Sequence, residues 1–253
     1  MGLVYEALAP IIYPEVEKLF SEGMEKMYVT ANILKKYSMQ YDLPNNTVNV
    51  AMIAFIIDCF FEDNIKYNMD FKNINFDELL RSINFNKHFV EATFQFNLMK
   101  KLINIVHESN VFPERNIEYY GLESKNYTKK IIDIVLENEK GLNIAIELKM
   151  PMNGQVPEQM YSFVKDIKFL EELKASKKFN ICYLLTITND HNFWSGQIDN
   201  GIYTYFRNNK ILTGKIEKPT GKNKGIENYK ISGKYKINWK IYDKDFKYFI
   251  IKI

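Results

Sequence analysis

The sequence predicts an α/β fold for most of the chain, preceded by a lobe of helices. Apolar residues recur at helical spacing between residues 12 and 80, where strand-like segments are scarce. From residue 84 the order becomes helix, three strands, helix and strand, which is typical of α/β layers with a mixed sheet. We therefore expect residues 1–83 to form a helical lobe and residues 84–253 to form the sheet domain.

Three helices are expected in the N-terminal lobe. Residues 14–39 carry apolar side chains near helical spacing, and Pro44 with two asparagines then interrupts the pattern. A second, buried helix is expected at about 47–62. Asp77 is expected to cap a short third helix just before Leu79.

The sheet domain is expected to begin with a long amphipathic helix within residues 86–110, whose apolar stripe includes Phe94, Leu98 and Leu102. The elements expected after it are strands near 117–121, at 130–136 and at 142–149, a helix that begins at Pro157 and Glu158, a buried strand at 179–188, and strands at 202–206, 210–217, 229–235, 237–242 and 247–253.

The composition is that of an ordinary globular protein. Of the 253 residues, 46% are apolar and 26% are charged, which argues against wholesale disorder. The N-terminus lacks the pattern of a secretory signal, and the apolar run at 50–61 is too short to span a bilayer. Cys59 and Cys182 lie in apolar runs without metal-ligand spacing. We expect a cytoplasmic protein with free thiols and no membrane partner.

Positive charge is concentrated in the C-terminal segment. Residues 210–253 carry 12 lysines against 4 acidic residues, a sum of +8, while the whole chain sums to +3. A basic segment suits a phosphate-binding surface. Solvated strands in a lysine-rich chain would have the same composition, so both interpretations stay open.

Two of the expected strands, 130–136 and 142–149, place charged residues among apolar ones. Side chains alternate across a strand, so Glu147 and Lys149 share one face. The short, glycine-containing connection favours an antiparallel hairpin that brings Asp133 opposite residues 145–147. Neighbouring carboxylates repel unless a divalent cation compensates them, and oxygen ligands suit Mg²⁺ or Mn²⁺. The alternative is a solvated sheet face.

The order Asp133, then Glu147, Leu148 and Lys149, on adjacent strands between two helices, resembles the motif of the PD-(D/E)xK nucleases, a fold group that includes many restriction endonucleases. The resemblance covers roughly residues 84–190. It implies a restriction-endonuclease-like mixed sheet flanked by helices. It also implies an Mg²⁺- or Mn²⁺-dependent endonuclease in which Asp133, Glu147 and the Leu148 carbonyl bind metal. Lys149 would orient the attacking water.

Further positions match the family in part. Ile132 stands where the family's proline is usual. Glu91, one turn before Gln95, matches a glutamate that many members direct at a second metal, although a surface role is an equal alternative. On the helix after the motif, Gln159 matches a glutamine of some branches that could contact phosphate or a metal-bound water. Phe163 stands where those branches have tyrosine.

The polar loop 189–201 follows the buried strand and is a candidate nucleic-acid contact. His191, Asn192 and Trp194 could hold a backbone or stack on a base, with Lys165 as a weaker candidate. A hydrophobic anchor role for Trp194 is equally compatible with the sequence.

These residues together predict a metal-dependent endonuclease that hydrolyses phosphodiester bonds in DNA, of the restriction or defence type. The helical lobe could pair two subunits into a homodimer or contact DNA. An RNA-directed nuclease is one alternative, because the sequence does not separate DNA from RNA. A catalytically inactive nucleic-acid-binding scaffold of the same fold is another. The chain has no GxSxG, HExxH or Walker motif to support other hydrolase classes.

Overall fold

A computed structural model describes residues 2–21, 29–33, 35–36, 54, 56–57, 74–85, 90–106, 110–138, 141–151 and 154–253. The chain forms two compact units, Met1–Met69 and Asp70–Ile253, which we call the N-terminal and C-terminal units. The boundary lies earlier than the one expected at 83/84. None of the described helices is long and apolar enough to cross a membrane.

All described residues of the N-terminal unit are helical. Helix α1, Gly2–Ser21, contains Pro10 and Pro14, and its Ile12 and Val16 are fully buried. The helix expected at 47–62 lies almost entirely outside the described residues, as does Cys59.

The C-terminal unit is built on a mixed six-stranded sheet, which confirms the predicted α/β class. Its strands, in chain order, are β1 (Val111–Asn116), β2 (Ile131–Glu137), β3 (Asn143–Lys149), β4 (Ile181–Thr188), β7 (Lys240–Ile241) and β8 (Lys247–Lys252), with β5 (Leu212–Glu217) and β6 (Asn228–Tyr235) forming a separate hairpin. The order across the sheet is β1-β2-β3-β4-β8-β7. Only β3 and β4 run parallel; the other neighbours are antiparallel.

Within the described residues, four α-helices accompany the sheet: α2 (Phe76–Arg81), α3 (Glu91–Val106), α4 (Val156–Ala175) and α5 (Tyr203–Arg207). The parallel pair β3–β4 needs a crossover, and α4 supplies it. Helix α4 packs in an apolar core cluster with Ala145 of β3 and Cys182 of β4, where Cys182 is a buried free thiol. On the opposite face of β4, Phe76 of α2 lies 4.4 Å from the Tyr183 ring.

The β5–β6 hairpin packs against α4 through β6. Glu171 of α4 accepts hydrogen bonds from the backbone N–H groups of Ser232 (2.9 Å) and Gly233, and from the Tyr235 hydroxyl (3.1 Å). A carboxylate that accepts several hydrogen bonds is a strong local anchor. The hairpin is therefore fixed to the helix that also carries part of the candidate site.

Two expected strands are absent from the positions predicted for them. The strand near 117–121 was placed too late: β1 ends at Asn116, whose side chain accepts from Glu118 N at 2.9 Å and starts a short 3₁₀ helix, Ile117–Tyr120. The segment 202–206 forms α5. Its alternating tyrosines have the pattern of a strand. Phe206, however, is buried with its ring centroid 5.7 Å from that of Phe163, and this packing favours the helix over the strand.

The third helix was predicted correctly, but its cap was not. Asn75 is the cap, since its side chain accepts from Glu78 N at 3.2 Å. Asp77 lies in the first turn and accepts instead from Lys240 Nζ (2.7 Å) and the Tyr248 hydroxyl (2.8 Å). These contacts explain why α2 belongs to the C-terminal unit.

Candidate active site

The predicted β2–β3 hairpin is present. Ile134 pairs with Ile146 and Val135 with Ala145, so one further position brings Asp133 opposite Glu147 on the same face. At this position a side-chain hydrogen bond joins the two strands, because Asp133 Oδ2 accepts from Leu148 N at 2.7 Å. The two carboxylates are therefore held side by side by strand pairing.

Burial and mutual repulsion shape the chemistry of this pair. Glu147 is 0% exposed. Its burial, together with the charges of Asp133 and Asp166, holds the pKa of Glu147 well above its usual range. Burial also raises the pKa of Asp133, although Lys129 and the Leu148 N–H act in the opposite direction. Burial and repulsion thus favour the protonated forms of this pair, and a nearby cation favours the charged forms.

Two charged residues that the sequence did not single out complete the cluster. Lys129, just before β2, donates its Nζ to Glu147 and lies 3.0 Å from Asp166 Oδ1. Asp166, in the middle of α4, is 2% exposed. Burial alone would lower the pKa of Lys129, but Glu147, Asp166 and Asp133 outweigh it and raise that pKa. Asp166 could have been noticed in the sequence as an acid on the apolar face of a helix; Lys129 had no comparable signal.

Lys149 joins the cluster to α3. Its Nζ lies 3.2 Å from Asp166 Oδ2 and 3.8 Å from Glu91 Oε1. Burial would lower the pKa of Lys149, but the charges of Asp166 and Glu91 raise it, so the side chain stays an ammonium. A buried ammonium held by two carboxylates has few rotamers left. Lys149 is therefore an oriented donor near the acidic pair.

The N-terminal turn of α3 is attached to the same end of the hairpin. Glu91 Oε2 accepts from Met150 N at 3.0 Å. One turn later, Gln95 Nε2 donates to the Asp133 carbonyl at 2.7 Å and to Glu114 Oε1 at 2.9 Å. The two side chains that the sequence placed on one side of the helix do reach the hairpin together.

The two candidates on α4 form no hydrogen bond or ion pair with the acidic pair among the described residues. Gln159 precedes Asp166 by seven residues, about 10 Å along the helix axis. Lys165 is half-buried. Within the part of the chain that the structure describes, neither side chain has a hydrogen bond or an ion pair, so neither is held against the acidic pair.

The loop 189–201 leaves β4 at the end of the sheet where β3 ends, since Lys149 pairs with Thr186 in the parallel register. The ring centroids of Trp194 and Trp239 lie 5.5 Å apart, and Lys247 Nζ lies 5.0 Å from the Trp194 centroid. Trp194 therefore anchors the loop to the rest of the unit. The Asn192 carbonyl accepts from Arg207 Nε at 3.1 Å. His191 is exposed.

The acidic pair has the donor chemistry of an Mg²⁺ or Mn²⁺ site. Among the described residues, no group of three or more His, Cys, Asp or Glu side chains is arranged to hold a metal ion. Mg²⁺, however, usually binds through one or two carboxylates together with water and phosphate. Buried Glu147 Oε1 and the buried Thr186 hydroxyl have no hydrogen-bond partner among these residues. The donor set of Asp133, Glu147 and the Leu148 carbonyl therefore fits such an ion.

Charge balance leads to the same conclusion. Asp133, Glu147, Asp166 and Glu91 face the two ammonium groups of Lys129 and Lys149, so the formal sum is −2 when all six are ionised. A divalent cation would neutralise this charge. It would also favour the deprotonated form of the buried carboxyl groups, which burial alone disfavours.

The cluster thus combines a buried acidic pair, an oriented lysine and a helix terminus at one end of a mixed sheet. Its carboxylates have the donor chemistry of a divalent-cation site, with an ammonium beside them. Comparisons of the chain with protein-family models, with curated proteins and with solved structures find no match.

Proposed function

We propose that the protein is an Mg²⁺- or Mn²⁺-dependent endonuclease of the PD-(D/E)xK type that hydrolyses phosphodiester bonds in DNA, with a restriction or defence role. The observation that carries the proposal is the hairpin in which Asp133 and Glu147 face each other. Lys149 lies two residues further on the same face, and α3 and α4 flank the pair. This arrangement supports the proposal of a restriction-endonuclease-like sheet.

The acidic pair and the Leu148 carbonyl would hold the metal. When bound, the ion supplies Lewis acidity and lowers the pKa of a coordinated water. The burial of Glu147 excludes bulk water from one side of the pair, which strengthens every electrostatic interaction there. Asp133 is fixed by Leu148 N and cannot rotate away without losing that hydrogen bond.

Lys149 would act on the substrate. Its Nζ is oriented by Asp166 and Glu91, and an ammonium in this position stabilises the negative charge that develops on the phosphate during attack. Glu91 would complete a second metal position. The basic C-terminal segment and the 189–201 loop would supply phosphate and base contacts, and a homodimer would allow both strands to be cut.

One observation favours a second candidate, an inactive nucleic-acid-binding protein of the same fold. The Lys129 ammonium already pairs with Glu147 and Asp166, so an internal cation supplies part of the charge that a metal would supply. In this second function Lys129 would be a permanent counter-ion and the cluster a structural core.

The experiment that separates the two is a cleavage assay on plasmid DNA and on structured RNA, in Mg²⁺, Mn²⁺ or EDTA. We expect metal-dependent cutting of DNA that is lost in Asp133→Asn and Lys149→Met. Asp245→Asn and Lys178→Met change the same residue types at exposed positions and serve as controls. Cutting in EDTA would refute the assignment. So would Asp133→Asn or Lys149→Met proteins that still cut DNA as wild type does. Cutting of RNA alone would favour an RNA-directed nuclease. Salt-sensitive binding without cutting would favour the inactive protein.

A further inference from the structure

A concave groove of about 630 Å³ lies between the 189–201 loop, α5 and the β5–β6 hairpin. It is separate from the acidic cluster. Charged and aromatic side chains line the groove: Tyr203, Tyr205, Lys210, Lys215, Lys218 and Lys224. Lysines interleaved with aromatic rings are the composition of a surface that binds nucleic-acid strands.

The groove is positively charged, and part of this charge is not neutralised. Among the lining residues, Glu217 is the one acidic side chain, and the four lysines leave a formal sum of +3. Two carboxylates beside the lining reduce this charge, because Glu227 pairs with Lys218 at 3.3 Å and Glu158 accepts from the Thr220 hydroxyl. Lys215 pairs with Glu217 at 2.8 Å. Lys224 is exposed and has no ion pair within the described part of the chain, while Lys210 Nζ lies 4.9 Å from the Tyr205 ring. Lys210 and Lys224 are therefore the two lysines placed to meet an anion.

The shape and the apolar lining select one kind of polyanion. A cavity of this volume is of the size that encloses small molecules, so it can hold a nucleotide or two. Tyr203 and Tyr205 are half-buried and pack against the apolar core, and the lining Ile198 is 56% exposed. The Arg207 guanidinium lies 4.1 Å from the centroid of the Tyr203 ring. Flat apolar walls beside lysines suit an unpaired base with its phosphate.

The groove and the acidic cluster share α4. Pro157, in the first turn of this helix, lines the groove, and Asp166 stands nine residues further on. At 1.5 Å per residue the two positions are about 14 Å apart along the axis. A strand stacked at about 3.4 Å per nucleotide covers that distance with about four nucleotides.

We propose that this groove binds an unpaired strand of nucleic acid, with phosphates on Lys210 and Lys224 and a base against the tyrosines. Delivery of that strand to the acidic cluster rests on the proposed nuclease function; binding in the groove does not.

The test is fluorescence anisotropy of a labelled single-stranded oligonucleotide, and of its duplex, in EDTA so that nothing is cut. The full-length protein should bind the single strand more tightly. Replacing two phosphate-contacting lysines should lower the slope of log affinity against log salt by about 1.4, which is about 25-fold in affinity at ~0.1 M salt. We expect this for Lys210→Ala/Lys224→Ala. The control Lys178→Ala/Lys244→Ala has the same net charge and should bind like wild type.

A second variant tests the base contact. Tyr205→Leu keeps an apolar side chain, so the fold is retained, and it should weaken single-strand binding about 5- to 150-fold at an unchanged salt slope. Equal binding of duplex and single strand by wild type would overturn the proposal. Equal losses of single-strand affinity in the groove variant and in the control variant would also overturn it. The same holds if polyphosphate competes for the protein as effectively as the unlabelled oligonucleotide does.

The two proposals fail differently. Preferential single-strand binding in EDTA with no cleavage in Mg²⁺ would leave the groove intact and refute the nuclease. Metal-dependent cleavage without preferential single-strand binding would support the nuclease and refute the groove proposal.

Discussion

Lys129 offers the sharpest test of the charge balance in the candidate site. The change Lys129→Met removes the ammonium and keeps most of the side-chain volume. It leaves Glu147 and Asp166, which are 0% and 2% exposed, without the partner that both now share. Asp166 retains Lys149 at 3.2 Å, whereas Glu147 retains no other ion pair among the described residues.

The magnitude follows from this burial. Breaking a buried ion pair by removal of one partner costs about 3–5 kcal/mol. Protonation of Glu147, whose pKa is already raised, limits the loss to the lower end of that range. At roughly 2–4 °C per kcal/mol for a domain of this size, the melting temperature in EDTA should fall by about 6–12 °C.

Metal should reverse the effect. In wild type, Mg²⁺ or Mn²⁺ must bind beside a lysine that already compensates the carboxylates, whereas in Lys129→Met it has no internal competitor. The rise in melting temperature on adding metal should therefore be larger in the variant than in wild type. Thermal unfolding followed by circular dichroism, with and without metal, measures both quantities.

Lys125→Met is the matched control. Lys125 pairs with Glu123 at 2.9 Å, but its side chain is 77% exposed, and pairs of this kind contribute little to stability. An unchanged melting temperature for Lys129→Met in EDTA, or a metal response no larger than that of wild type, would refute the account of the cluster as a metal site held ready by an internal cation.

Three further changes test other parts of the molecule. Asp133→Asn should raise the metal-free melting temperature at neutral pH, because it removes one of two facing carboxylates whose pKa values are raised, and should abolish the metal-induced increase; unfolding scans with and without Mg²⁺ check both. Asp166→Asn should lower cleavage about 10- to 100-fold, since Lys149 loses its closer partner, and normal activity would contradict the orienting role. Asp77→Asn tests a lowered pKa. Burial raises the pKa of Asp77, but Lys240 and Tyr248 outweigh burial and lower it. The Asp77 carboxylate therefore stabilises the fold at pH values above its ordinary pKa of 3.8, and this contribution is lost as the pH falls through the lowered pKa. Urea unfolding should show a deficit of about 1 kcal/mol or less for Asp77→Asn at pH ~7 and none at pH ~2, given the exposure of the pair; a deficit at both pH values would contradict the electrostatic origin.

Local sequence was enough to predict the hairpin and its charged face. The alternation in β3 is a property of strand geometry, so Glu147 and Lys149 had to share a face once the strand formed. The turn is also local: Gly141 adopts a φ of 74°, and Leu142 N donates to Asn138 Oδ1 at 2.8 Å. Strand pairing out of this turn sets the register that brings Asp133 opposite Glu147.

The partners of these residues depended on the tertiary structure. Lys129 and Asp166 are separated by 37 positions and meet only because α4 crosses back over β3 to make β4 parallel to it. The groove likewise joins the 189–201 loop to the β5–β6 hairpin, which is attached to α4 through Glu171. Periodicity determines which way a side chain points within its own element. Which charges meet across elements, and therefore which pKa values rise, is determined by packing of the finished fold, because Coulomb and desolvation energies depend on distance and burial and not on position along the chain.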